Sequence, residues 1–118
     1  MASAMQGDTS LARTTTRLNP RILSMVKQYN GYLQAAGIPV DNLIVFGSHA
    51  KGSAHPDSDV DVAVISSSFG RNRFDEMVKL AHLRNGLYEI EAHPLHPNDF
   101  NDRWDTFAHE VKKYGIPV

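Results

Sequence analysis

A chain of 118 residues with 42% hydrophobic and 21% charged residues has the length and composition of one globular domain. Its formal net charge of −1 gives no sign of a nucleic-acid-binding protein, and the absence of cysteine excludes disulfide scaffolds, zinc ribbons and thiol catalysis. The sequence has neither an apolar run of membrane-spanning length nor the apolar core of a secretory signal, so we expect a cytoplasmic protein.

The first predicted element is a helix that follows an aperiodic segment. Residues 1–18 show no hydrophobic period, so we expect a flexible N-terminal tail there and the folded domain over residues 19–118. Asn19 and Pro20 suit the N-cap and the first position of a helix, and Gly37 suits its end. The predicted core face of this helix consists of Ile22, Met25, Val26, Tyr29 and Leu33.

Two short apolar runs, residues 43–46 and 59–65, predict a pair of neighbouring strands. Residues 48–58 connect them, and this connection is slightly too short for the usual parallel crossover with its own helix. We therefore predict antiparallel strands joined by one short helical turn and a loop. In such a pair the end of the first strand lies beside the start of the second.

The second strand opens with two aspartates at alternate positions, Asp59 and Asp61. Side chains two apart on a strand share a face, so both should project together while Val60, Val62 and Val64 pack on the other face. Adjacent like charges need a neutralising cation, and oxygen ligands favour Mg²⁺. This strand pair therefore predicts a metal-dependent phosphate-handling site at one edge of the sheet.

The remainder of the chain predicts a helix over residues 73–85, a third strand over residues 87–93 that Pro94 ends, and a last turn and helix opened by Asn98. The helices have the predicted apolar faces Phe74, Met77, Val78 and Ala81, and Trp104, Phe107, Ala108 and Val111. Together the elements predict an α/β (α+β) fold in which helices flank a small mixed sheet of about three strands or more.

The third strand offers one more carboxylate of the right parity. Glu89 and Glu91 both qualify, and Glu91 is favoured because it lies nearer the end of the strand. Three converging carboxylates suit phosphoryl or nucleotidyl transfer, in which two Mg²⁺ ions hold a nucleoside triphosphate for in-line displacement. Zinc is not expected, because His93 and His96 straddle Pro94 without further clustered ligands.

Four residues are predicted to contact phosphate: Gly47, Ser48, Lys51 and Ser58. Gly47 has no side chain to keep a phosphate away from the backbone, and Ser48 offers a hydroxyl at the start of a short helix. Lys51 could equally be an exposed lysine. Ser58 could bond a phosphate or form a turn, and the sequence leaves both open.

The G-S-x10-D-x-D spacing of Gly47-Ser48 and Asp59-Val60-Asp61 resembles that of the nucleotidyltransferase superfamily that includes DNA polymerase beta. The fuller string through Lys51 and Ser58 is similar to its minimal nucleotidyltransferase branch, which often has arginine in place of Lys51. The resemblance implies a nucleotidyltransferase fold, metal binding by Asp59 and Asp61, and Glu91 as the third acid on a later strand.

The same resemblance implies a function. It points to a Mg²⁺-dependent enzyme that transfers AMP from ATP, or another nucleotide, to an acceptor hydroxyl. The acceptor would be a tyrosine of a small helical HEPN toxin, with this chain as the antitoxin, either with that partner or as a homo-oligomer. Alternatives are a non-catalytic antitoxin of the same fold and a small-molecule (antibiotic) adenylyltransferase. Neither a membrane nor a nucleic acid is indicated as a partner.

Overall fold

The first helix, α1, spans Pro20–Ala35 in a computed structural model that describes residues 18–118. The side chain of Asn19 accepts a hydrogen bond of 2.8 Å from the backbone N–H of Arg21, and Gly37 adopts a φ of 81° after the last turn. Both predicted ends of this helix are confirmed. The predicted tail lies outside the described residues except for Leu18, which is buried in the core.

Four strands and four further helices follow. They are β1 (Asn42–Phe46), α2 (Ser48–Lys51), β2 (Val60–Ile65), α3 (Arg73–His82), β3 (Ile90–Leu95), α4 (Pro97–Phe100), α5 (Thr106–Tyr114) and β4 (Ile116–Pro117). The strands form one mixed sheet in the order β3-β2-β1-β4, with helices packed on it. The predicted fold class is therefore confirmed.

The pairing of β1 with β2 is antiparallel, as the short connection between them predicted, and α2 is the predicted helical turn. The register places Phe46 opposite Asp61. The pairing of β2 with β3 is parallel and places Asp61 beside Glu91. Asp61 therefore lies between a residue of β1 and a residue of β3.

The two faces of the sheet are covered by different helices. Val60, Val62 and Val64 face a core cluster that includes buried side chains of α1, which confirms the predicted valine face of this strand. The opposite face contributes Ile44, Phe46, Ala63, Ile65 and Leu95 to a second cluster, which Ala108 and Val111 of α5 complete. By alternation along β2, Asp61 belongs to the face that α5 covers.

The predicted bounds of the third strand were wrong, since β3 runs through Pro94 to Leu95 instead of ending before that proline. The backbone N–H of Val60 donates to the carbonyl of Glu89, and that of Ser66 donates to the carbonyl of Leu95. The backbone N–H and C=O groups of the odd-numbered residues of β3 therefore point toward β2, and those of the even-numbered residues point away from it. The backbone nitrogen of Pro94 thus lies on the outer edge of the sheet. Because β3 is an edge strand, a proline there costs no ladder hydrogen bond.

The predicted face of the third helix was also wrong. The helix α3 ends at His82, and its buried residue is Leu80, whereas Phe74 is 73% exposed and Met77 and Val78 are partly exposed. Apolar residues lie on more than one side of this helix, and the sheet selects the side that includes Leu80.

Trp104 does not belong to the last helix. It precedes Asp105, whose side chain accepts a hydrogen bond from the N–H of Ala108 and caps α5, and Trp104 is 78% exposed.

The two-residue strand β4, where Ile116 pairs with Val45, was not predicted. Within residues 18–118 we find no helix with the length and apolarity needed to cross a bilayer.

Candidate active site

Asp61 is the central residue of the candidate site. It is the second residue of β2, opposite Phe46 of β1 and beside Glu91 of β3. The side chain of Asp61 is 27% exposed and that of Glu91 is 53% exposed, so the pair faces solvent at one end of the sheet. Of the two aspartates predicted to converge with Glu91, Asp61 does so in the structure.

Gly47 lies directly against the carboxylate of Asp61. Its φ of 73° is a conformation that residues with a side chain rarely adopt, and a Cβ added there would overlap the Asp61 carboxylate. The G-S turn therefore approaches the acidic pair from the end of β1. A glycine is required at this position for two independent reasons, the backbone conformation and the space that Asp61 occupies.

His93 joins the acidic pair, although it was not among the predicted site residues. Its Nε2 lies 3.5 Å from Oδ1 of Asp61 and 3.7 Å from Oε1 of Glu91. Ligand atoms of the three side chains all lie within 4.8 Å of one another. Nε2 is buried and has no hydrogen-bond partner among residues 18–118. The three residues form what we call the Asp-Glu-His group.

Sequence reasoning missed His93 because it was considered together with His96. The side chain of His96 instead caps α4, where its Nδ1 accepts a hydrogen bond of 3.0 Å from the N–H of Asn98. The alternation of Glu91 and His93 in one strand is the signal that could have found this residue, since alternate positions share a face.

Asp59 lies one residue before β2, is exposed, and is outside the Asp-Glu-His group. It lines a cavity of about 440 Å³ together with Arg21, Ser58 and Glu89. Glu89 forms an ion pair of 3.1 Å with Arg21 of α1 and is outside the Asp-Glu-His group, so Glu91, and not Glu89, is the carboxylate beside Asp61. The predicted metal-binding role of Asp59 stays a prediction.

The predicted phosphate contacts have structural neighbours of their own. Nζ of Lys51 lies 2.7 Å from a carboxylate oxygen of Glu110 and 4.5 Å from the centre of the Tyr114 ring. The hydrogen bond to Glu110 raises the pKa of the Lys51 ammonium. The hydroxyl of Ser58 accepts a hydrogen bond of 2.8 Å from the N–H of His55, as in the turn alternative. Ser48 is the first residue of α2.

Comparison with known families assigns this fold to a family. The model of the nucleotidyltransferase domain family matches residues 26–110, which is more than half of the chain. The chain belongs to the nucleotidyltransferase domain family. This membership confirms the predicted fold class and the predicted enzyme class, a nucleotidyltransferase.

Two solved structures resemble this nucleotidyltransferase domain in fold. A candidate nucleotidyltransferase from Sulfolobus solfataricus has a TM-score of 0.58 and 18% identity, over 92% of this chain and 84% of that chain. A toxin–antitoxin structure with AMP-PNP has a TM-score of 0.51 and 22% identity, over 76% of this chain and 69% of that chain. A comparison with curated proteins found no match.

The donor set of this nucleotidyltransferase fits a divalent cation. Two carboxylates and an imidazole converge, and the buried Nε2 of His93 has only carboxylate oxygens as polar neighbours in its group. Hydrogen bonding within the described residues leaves that nitrogen unsatisfied, and a buried unsatisfied polar atom costs about 1–3 kcal/mol. A bound cation would satisfy it and neutralise Asp61 and Glu91 together.

Proposed function

We propose that this chain transfers a nucleoside monophosphate, AMP from ATP, to an acceptor hydroxyl. The observation that supports this most directly is the register pairing of Asp61 with Glu91 beside Gly47. The pairing brings two carboxylates, the proposed metal ligands, beside the G-S turn, whose glycine lets the Asp61 carboxylate approach the backbone. Nucleotidyl transfer needs carboxylates that hold the metal close to the segment that contacts the nucleotide phosphates, and the two lie side by side here.

In the proposed reaction the acceptor oxygen attacks the α-phosphorus of ATP. A new oxygen–phosphorus bond forms, the bond between the α-phosphorus and its bridging oxygen to the β-phosphate breaks, and pyrophosphate leaves. Asp61 and Glu91, with Asp59 supplied from the preceding loop, would hold Mg²⁺, which neutralises charge on the triphosphate. Glu91, the more exposed carboxylate of the group, would accept the proton of the acceptor hydroxyl.

Gly47, Ser48 and Ser58 are proposed to contact the β- and γ-phosphates from the turn and the loop before β2. Lys51 is proposed to join them by exchanging Glu110 for phosphate. Its present ion pair joins two half-exposed side chains, and such pairs add little to stability, so a triphosphate could replace Glu110 at small cost.

We further propose that the acceptor hydroxyl belongs to a partner protein, a helical HEPN-type toxin that this chain neutralises as an antitoxin in the cytoplasm. Support comes from the fold similarity to a toxin–antitoxin structure with AMP-PNP. The motif resemblance to minimal nucleotidyltransferases points the same way. The acceptor would then be a tyrosine hydroxyl presented at the end of the sheet.

The test is transfer of label from ATP carrying ³²P at the α-phosphate to the candidate partner, the purified product of the adjacent open reading frame. Wild type should label the partner, and Asp61→Asn and Glu91→Gln should lower the rate by about a hundredfold or more. Asp75→Asn is the matched control. It changes an exposed aspartate of α3 that lies outside the Asp-Glu-His group, and it should keep the rate within a few fold.

The outcome also separates the alternatives. Equal labelling by wild type and Asp61→Asn would overturn the assignment of the acidic pair. Neutralisation of the partner by Asp61→Asn without ATP would instead identify a non-catalytic antitoxin. Label on an aminoglycoside, and none on the partner, would identify a small-molecule adenylyltransferase.

A further inference from the structure

The ring nitrogen Nε2 of His93 has a defined position relative to the two carboxylates, Asp61 and Glu91. The residue is the fourth of β3, opposite Ala63 of β2, and shares its face with Glu91 two residues earlier. Its ring nitrogen Nε2 is buried, lies nearly equidistant from Asp61 and Glu91 (3.5 and 3.7 Å), and forms no hydrogen bond with either.

The ring is held in this position by aromatic neighbours. The centre of the Phe46 ring lies 5.2 Å from that of His93 in an edge-on arrangement, and the Phe107 ring of α5 lies at 5.5 Å. The His93 side chain is 19% exposed. Packing on both rings limits the orientations of the imidazole, so Nε2 already points toward the carboxylates before a metal binds.

The separations match those of ligands on one ion. Ligands bound at about 2.0–2.2 Å are roughly 3.0 Å apart at adjacent octahedral positions and roughly 3.5 Å apart in a tetrahedral site. The observed 3.5 and 3.7 Å from Nε2 are close to these values, and ligand atoms of all three side chains lie within 4.8 Å of one another, so side-chain rotation could bring the three onto one cation. A hydrogen-bonded His–carboxylate pair would instead have a shorter separation, near 2.8 Å.

The ligand types determine which cation is favoured. Carboxylates suit Mg²⁺ and Mn²⁺ alike, whereas an imidazole nitrogen favours first-row transition metals over Mg²⁺, which prefers oxygen. A site with two carboxylates and one imidazole should therefore favour Mn²⁺ over Mg²⁺ more than an all-carboxylate site does. That difference would depend on one side chain, His93.

We propose that His93 is a protein ligand of the metal at the Asp61–Glu91 site and gives this site a preference for Mn²⁺ over Mg²⁺. This inference deepens the proposed function, on which it rests for the location of the metal. It assigns to this chain a nitrogen ligand in addition to its carboxylates.

The test uses Mn²⁺ itself as a spectroscopic probe of the full chain without an affinity tag. Free Mn²⁺ is counted by electron paramagnetic resonance during a titration, and nitrogen ligation is detected by electron spin echo envelope modulation from ¹⁴N. Wild type should show ¹⁴N coupling. In His93→Phe, which keeps an aromatic ring beside Phe46, the coupling should disappear and the Mn²⁺ dissociation constant should rise about tenfold or more.

The Mg²⁺ dissociation constant, measured by competition, should change less than that for Mn²⁺ in the same variant. His109→Ala is the matched control, because this exposed histidine of α5 lies outside the Asp-Glu-His group, and it should match wild type in every measurement. Absence of ¹⁴N coupling from the bound Mn²⁺ of wild type would overturn the proposal, whatever the variants do.

Failure of this proposal is distinguishable from failure of the proposed function. Transfer of AMP with no ¹⁴N coupling would leave the nucleotidyltransferase assignment intact and remove His93 from the metal. Coupling that His93→Phe abolishes, with no transfer to any acceptor, would retain the ligand and remove the proposed reaction.

Discussion

At the scale of single residues, the site depends on a contact between a glycine and an aspartate that are far apart in the sequence. Gly47 has a positive φ, and the carboxylate of Asp61 occupies the space where its side chain would be. Gly47 of the G-S motif therefore determines how closely the Asp61 carboxylate can approach the turn. Replacement of Gly47 should disturb both backbone and carboxylate.

Gly47→Ala is expected to lower the free energy of unfolding by about 1–3 kcal/mol, because alanine is strained at this φ and displaces Asp61. AMP transfer should fall by about tenfold or more, since Asp61 would move relative to Glu91. Urea unfolding and the labelling assay measure these effects. Wild-type stability and activity in Gly47→Ala would contradict the description of this turn.

The same substitution at another glycine provides the control. Gly31 is an exposed residue inside α1, and beyond the helix's own backbone a Cβ there would meet none of the described residues within 4 Å. Gly31→Ala should therefore stabilise the chain by about 0.5–1 kcal/mol through helix propensity and leave AMP transfer unchanged. Opposite changes in the free energy of unfolding at the two glycines would distinguish a local constraint at Gly47 from a general effect of alanine.

At the scale of elements, α3 shows how tertiary packing selects one side of a helix. Periodicity predicted a buried face with Phe74, Met77 and Val78, but the structure buries Leu80 completely and leaves Phe74 73% exposed. The backbone carbonyl of Leu80 also accepts a hydrogen bond of 2.7 Å from the hydroxyl of Tyr29, which links α3 to α1.

Two alanine substitutions test this choice of face. Leu80→Ala should destabilise the chain by about 2–5 kcal/mol, because it removes a fully buried side chain and leaves a cavity. Phe74→Ala should change stability by less than about 0.5 kcal/mol, since the ring is exposed and alanine favours the helix. Urea unfolding of both variants measures these changes. Equal losses of stability would support the buried face predicted from the sequence, which includes Phe74.

At the scale of the whole molecule, the mixed sheet brings together segments that are distant in the chain. The parallel pairing of β2 with β3 places Asp61 beside Glu91, and α5 covers the same face through Phe107, Ala108 and Val111. On the opposite face α1 and α3 meet across the buried Tyr29. Their contact should make folding stability sensitive to alkaline pH.

Burial raises the pKa of the Tyr29 hydroxyl above its usual value, with a smaller opposing effect of Arg84. In the unfolded chain this tyrosine ionises near pH 10, whereas in the folded chain it stays neutral to higher pH. Unfolding therefore releases a proton above pH 10. The stabilisation is fully present below pH 10 and is lost as the pH rises from there toward the folded-state pKa.

Between pH 9 and pH 11, wild type should lose about 1 kcal/mol more stability than Tyr29→Phe, which cannot ionise. Urea unfolding at both pH values gives the two differences. Tyr88→Phe, at a 75% exposed position, should keep the wild-type pH dependence. The same pH dependence in Tyr29→Phe and wild type would show that Tyr29 is not the group responsible.

The sequence by itself determined the features that depend on local chemistry. The caps of α1, the antiparallel pairing across a short connection, the valine face of β2 and the approach of the Gly47 turn to Asp61 were all predicted correctly. Each follows from neighbouring residues, because capping, alternation and loop length act over a few positions.

Only the tertiary structure decided what depends on which strands and helices become neighbours. Pro94 fits within β3 because that strand is at the sheet edge, and α3 buries Leu80 because of where the sheet lies. His93 joins Asp61 because β3 pairs in parallel with β2 at one register. Alternation within a strand gives the face of a side chain, but its neighbours on that face depend on pairing between distant segments.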